Sequence, residues 1–141
     1  MFVDREQLIF EISIPGKPNP KGRPRRGRYG GVYTPKDTRQ WETMAKTMIR
    51  LQWRKSPLDG PLYVSITACY AIPQSWSKKK RSTPPERTAK PDLDNIIKSA
   101  LDAMNGVVYK DDSQVCKIVA EKRYSTIACL DIRVYKAENA I

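Results

Sequence analysis

Apolar and polar residues alternate from Gln7 to Ile14, and Pro15, Gly16, Pro18 and Pro20 then break the pattern. That predicts a strand running into an extended, turn-rich segment. Trp41, Met44, Ala45, Met48, Ile49 and Gln52 recur at helical spacing, predicting a helix that continues to about residue 55 and buries this stripe in the core. Thr34 suits its N-cap, Pro35 its first turn and Asp37 its third position. Trp53 falls off the stripe. Residues 62–72 alternate, are rich in β-formers and lie between Pro61 and Pro73, the clearest strand of the chain. A second helix is expected from Asn95 to about Asn105, with Ile96, Ile97, Ala100, Leu101 and Met104 on one face and Gly106 just past its end. Residues 114–124 and 126–135 read as two more strands, joined as a hairpin. The order β-α-β-α-β-β predicts an α+β (mixed α/β) fold, with two main helices packed on a mixed sheet and one domain spanning 1–141.

Composition narrows the chemistry. The 141 residues hold 26 Lys+Arg, 15 Asp+Glu and no histidine, for a net charge of +11. Such a balance points to a polyanionic partner. Without histidine, Ser-His-Asp and Cys-His nucleophiles, H-E-x-x-H zinc sites and any imidazole base are excluded. Carboxylates, lysines, hydroxyls or a metal must carry any catalysis. Cys69, Cys116 and Cys129 are odd in number, widely spaced and set in apolar surroundings, so they read as core thiols rather than a disulfide or zinc framework. No signal peptide or membrane-length apolar run is evident, so the expected location is the cytoplasm, with no membrane partner.

Positive charge is concentrated in two loops. Residues 17–33 contribute Lys21, Arg23, Arg25, Arg26 and Arg28 among glycines and tyrosines, and residues 74–90 contribute Lys78, Lys79, Lys80, Arg81 and Lys90. These are candidate phosphate contacts, because glycine lets a backbone approach closely and arginine donates in pairs. The longer loop is expected to order on a phosphate backbone.

Against this background the acidic residues stand apart. Segment 91–112 sums to −3 while the remainder sums to +14. Asp92 and Asp94 are two residues apart in an extended stretch after Pro91, so both are expected on one side. Asp94 suits a helix N-cap, and Lys98 follows four residues later on the same helix face. Asp111 and Asp112 come after a short apolar segment and are expected to return to the same end of the sheet. Carboxylates of this kind suit Mg²⁺, which keeps waters and substrate phosphate oxygens among its ligands. Each aspartate taken alone also suits a cap or a turn.

The run Lys90-Pro-Asp-Leu-Asp-Asn-Ile-Ile-Lys-Ser-Ala-Leu-Asp-Ala-Met-Asn-Gly106, followed by Asp111-Asp112-Ser-Gln-Val, resembles the core motif of the RusA-type Holliday junction resolvases. The resemblance implies a homodimeric endonuclease, dependent on Mg²⁺ with Mn²⁺ as a substitute, that nicks four-way DNA junctions symmetrically in recombination and repair. It requires no small-molecule cofactor. Carried over by motif, Asp92, Asp94 and Asp112 are the essential metal ligands, Asp111 an auxiliary acid and Lys98 the supporting catalytic lysine, with Asp102 paired to Lys98. Residues 74–90 exceed the loop of the family's shortest members. The sequence also admits two rival readings: a non-catalytic basic DNA-binding protein, and a metal nuclease acting on flaps or forks.

Overall fold

The computed structural model describes residues 6–19, 25–26, 32–33 and 36–137. Its elements are β1 (Glu6–Pro15), β2 (Arg25–Arg26), β3 (Val32–Tyr33), α1 (Lys36–Gln52), β4 (Leu62–Ala71), α2 (Lys78–Ser82), α3 (Leu93–Met104), a 3₁₀ turn (Asp112–Gln114), β5 (Val115–Ser125) and β6 (Cys129–Ala137). The expected helix-start residues Thr34 and Pro35 lie outside the described residues.

Four strands form one mixed sheet in the order β1-β6-β4-β5. β6 pairs antiparallel with both β1 and β4, and β4 pairs parallel with β5. The expected hairpin of the last two strands is therefore corrected: β5 and β6 are consecutive in sequence yet flank β4. Sequence alternation specifies that a segment is a strand but not its neighbour. The three residues between them can span about 10 Å, enough to step over one intervening strand. β2 and β3 form a separate two-stranded ribbon, Arg25 opposite Tyr33 and Arg26 opposite Val32.

A parallel pair cannot be closed by a tight turn, so the chain from β4 to β5 must cross the sheet and return. α3 is that crossover. It packs against α1, β4 and β5 on one face of the sheet. Ile96, Ala100, Ala103 and Met104 are buried there with Leu62, Val64, Ile66 and Ala68 of β4 and Trp41, Ala45 and Ile49 of α1. Burying each large aliphatic side chain contributes about 1.5–3 kcal/mol, which is why this two-layer stack forms the core. Two residues of the expected stripe are not in the core. Met44 and Gln52 are exposed, because α1 presents a narrower face than its sequence allows. Trp53 is buried, edge-on to Phe10 with ring centroids 5.6 Å apart, and its indole N–H donates to the Ser56 carbonyl.

Candidate active site

The dipole-positive start of α3 carries the first pair of carboxylates. Asp92 is the N-cap residue, extended at φ −69° and ψ 143°, and its side chain makes no capping hydrogen bond. Asp94 lies in the first turn, so the cap falls two residues earlier than the sequence pattern implies. Both side chains are exposed. Lys90 donates from Nζ to Asp92 Oδ1 at 3.0 Å. The peptide before Asp92 holds three successive carbonyls, and each is met by a cationic side chain. Lys122 of β5 donates to the carbonyls of Ala89 and Pro91, both at 3.0 Å, and Arg87 donates to that of Lys90 at 2.8 Å.

Asp111 and Asp112 occupy the other end. Asp111 caps the 3₁₀ turn by accepting from the Ser113 amide at 3.2 Å, and hydrogen bonds from Ser113 hold its carboxyl below the usual carboxylate range. The Gln114 side chain completes a reciprocal box: its oxygen accepts from the amides of Lys110 and Asp111, and its nitrogen donates to the carbonyls of Leu58 and Gly60. Tyr109 is buried beside it, its hydroxyl donating to Leu101 at 2.7 Å. Burial pushes that phenol up, reinforced by the charges of Asp112, Asp102 and Asp111.

Between the two ends runs a stripe of Asp94, Lys98 and Asp102 at i, i+4, i+8, the first two exposed and Asp102 half-buried. Lys98 donates to Asp102 at 2.9 Å, as the sequence predicts.

The expectation that Asp111–Asp112 return to the end of the sheet that holds Asp92 is overturned by this topology. β4 and β5 run parallel, so the crossover helix starts where β4 ends and finishes where β5 begins. Asp92 lies beside Lys122, near the end of β5, whereas Asp112 immediately precedes its start. The twelve-residue helix that lies between the two carboxylate groups in the chain is about 18 Å long. Among the described residues, no three of these aspartates bring ligand oxygens within 4.8 Å of one another. The donor type, hard carboxylate oxygen, fits Mg²⁺. One copy of the chain presents such donors as two half-sets.

The basic residues divide as well. Lys21, Arg23 and Arg28 lie outside the described residues, and Arg25 and Arg26 form β2. In the longer loop, Lys78–Ser82 is already a helical turn capped by Ser77, not a segment without structure. Arg81, exposed, folds back on its own loop and donates to the carbonyls of Trp76 and Pro73, and Lys80 sits 4.2 Å from the Trp76 ring centroid. Lys78 and Lys79 are exposed.

Sequence reasoning missed the meeting of Cys69 and Cys129. They stand directly opposite on β4 and β6, on the face away from α1 and α3, and with Asp131 gather ligand atoms within 4.8 Å. The pairing of strands brings together residues sixty apart, a proximity that spacing alone does not reveal. Arg123 bonds to Cys69, so a cation would compete there with a guanidinium. Burial pushes the Cys129 thiol up to about 11, and Cys116 is exposed rather than a core thiol.

Among the described residues, no helix is long and apolar enough to cross a membrane. The family model described as Endodeoxyribonuclease RusA matches residues 15–135. The chain is 31% identical to the Bacillus subtilis (strain 168) protein YqaN over 125 residues, covering 82% of this chain and 88% of that one. It is 40% identical over 63 residues to the crossover junction endodeoxyribonuclease rusA of Lactococcus phage r1t, covering 44% of each. With the strand-helix-strand frame and the acidic motif residues within the matched span, the chain belongs to the RusA family of endodeoxyribonucleases, whose activity is that of Holliday junction-resolving nucleases.

Proposed function

We propose that the protein is a Mg²⁺-dependent endonuclease that resolves four-way junctions by paired symmetric nicks, acting as a homodimer in recombination and repair. The observation that carries this reading is the division of the acidic motif between the two ends of α3. Asp92 and Asp94 present two exposed carboxylates at a helix N-terminus, and Asp112, with Asp111 beside it, presents the third at the far end. A second copy related by a two-fold axis would set Asp112 of one chain beside Asp92 and Asp94 of the other, giving two equivalent sites. Two sites related by symmetry suit a substrate with pseudo-two-fold symmetry.

Asp92, Asp94 and Asp112 would hold the metal, with Asp111 in support. Bound Mg²⁺, or Mn²⁺ in its place, lowers the pKa of water and neutralises charge on the phosphate. Lys98, on the same helix stripe as Asp94, places an ammonium where it can orient a water or offset charge near the leaving oxygen. With no histidine in the chain, no imidazole competes for these roles. Lys78, Lys79 and Lys80, with Lys21, Arg23, Arg25, Arg26, Arg28 and Lys90, supply phosphate attraction that weakens steeply with salt. Arg81, bonded to the carbonyls of its own loop, adds its charge to that surface and holds the loop in shape.

Mixing two inactive variants tests the shared site. Asp92→Asn and Asp112→Asn each abolish nicking of a synthetic four-way junction and leave junction binding intact. Co-refolded together, they form mixed dimers in which one of the two sites keeps both carboxylates, and single nicking returns. Mixtures that stay inert, although mass spectrometry finds mixed dimers, overturn the shared site. Equal cutting of junctions, flaps and forks by the wild-type protein overturns the resolvase assignment.

A further inference from the structure

The +14 of the chain outside its acidic segment invites the assumption that every lysine there serves phosphate. Lys122 does not fit it. Two of the three donors of its ammonium are taken by the carbonyls of Ala89 and Pro91, each at 3.0 Å, and the side chain is half-buried on the helix-bearing face of β5. We propose that Lys122 is a positioning residue for Asp92, fixing the segment that presents this carboxylate against the end of β5, with Arg87 as the second pin of the same clamp. The inference rests on the proposed role of Asp92.

The clamp has a physical reason to exist. Residues 72–92 form a long connection, and its last residues must be held if Asp92 is to enter a site with reproducible geometry. Backbone bonds within that stretch are sparse: the Asp92 carbonyl accepts from the amides of Asn95 and Ile96 as α3 begins, which fixes the residue to the helix but not to the sheet. Lys122 supplies the missing tie. Arg87 adds another, its guanidinium stacked 3.7 Å from the Tyr70 ring centroid and 5.2 Å from that of Tyr124, while donating to the Lys90 carbonyl. Tyr70 and Tyr124 are register partners on β4 and β5, and Trp76 packs edge-on against Tyr124 at 4.7 Å. The segment is thus tied through side chains to the ends of both parallel strands. Charge-assisted bonds to carbonyls are the strong members of their class, so three of them on consecutive peptides give the segment one position.

Lys122→Met keeps the length of the side chain and removes the donors, and Lys122→Arg keeps the charge and can still reach two carbonyls. Single-turnover nicking by Lys122→Met is expected to fall 10–100-fold, with junction affinity measured in Ca²⁺ within twofold of wild type and an unchanged salt dependence. Hydrogen exchange, followed by mass spectrometry on the metal-free protein, should accelerate over residues 87–96 while β1, β4 and β6 stay protected. Lys122→Arg is expected to recover most of both properties. Wild-type nicking by Lys122→Met overturns the proposal, as does unchanged exchange over 87–96. A weaker junction affinity with the salt slope reduced by about one would instead make Lys122 a phosphate contact. If the wild-type protein cuts nothing with any divalent metal, the nuclease reading falls, and the exchange measurement still decides whether the clamp exists.

Discussion

The two ends of α3 carry the same kind of residue and are built in opposite ways. At its start, Asp92 and Asp94 sit where the helix macrodipole favours negative charge, and cations from three directions hold the approach to them. At its finish, Asp102, Asp111 and Asp112 gather where the macrodipole opposes them. That end carries its own compensation: Lys98 bonds Asp102, Lys46 donates to the Asn105 carbonyl at 3.0 Å, and Lys110 pairs with Asp59. Lys46 meets this carbonyl at the cost of its own hydration, for burial lowers its pKa. Structure at the first end depends on cationic side chains that donate to its backbone carbonyls, and structure at the second on a capping box whose Gln114 amide also reaches the carbonyls of Leu58 and Gly60. Acidic residues placed against a dipole are poor choices for stability alone, so the second end is where electrostatics most clearly departs from what folding requires.

Breaking the box at Gln114 gives the largest expected change in stability. Gln114→Ala removes two acceptor bonds and two donor bonds, costing about 2–3 kcal/mol and lowering the melting temperature by several degrees in a calorimetric scan. Tyr109→Phe keeps the buried ring and loses the hydroxyl bond to Leu101, for about 1 kcal/mol in urea unfolding. Lys98→Ala breaks an exposed i,i+4 pair and should shift stability by about 0.5 kcal/mol or less. Nicking by the same variant should nevertheless fall at least tenfold. A proportionate loss of stability and cutting in Lys98→Ala would reduce that lysine to a structural partner of Asp102.

Several features are legible in the sequence alone. The period of Ile96, Ala100 and Met104 located α3, and the alternation around Val64 and Ile66 located β4, because each element reports which face it buries. Asp102 could be paired with Lys98 from spacing alone. What escaped were relations between elements. Nothing in residues 114–135 says that β4 lies between the last two strands, and the apolar link from Val107 to Tyr109 reads equally as a return or as the far end of a crossover. The stack of Arg87, Tyr70 and Tyr124 draws on three separated segments, so the arginine looks like one more loop cation. Met44 sits on the periodic stripe and is exposed, since periodicity marks a face without fixing how wide a neighbour covers it.

α3 also acts as a ruler. Its twelve residues fix where the chain leaves the Asp92–Asp94 end and where the link to Asp111–Asp112 begins. One residue inserted or deleted between Ile97 and Ala103 would turn one group by about 100° against the other and shift it by about 1.5 Å, while putting the buried stripe out of phase with the sheet. Substitutions along the outer face are cheap for folding by comparison. The length of this helix is therefore as much a part of the motif as the aspartates at its ends.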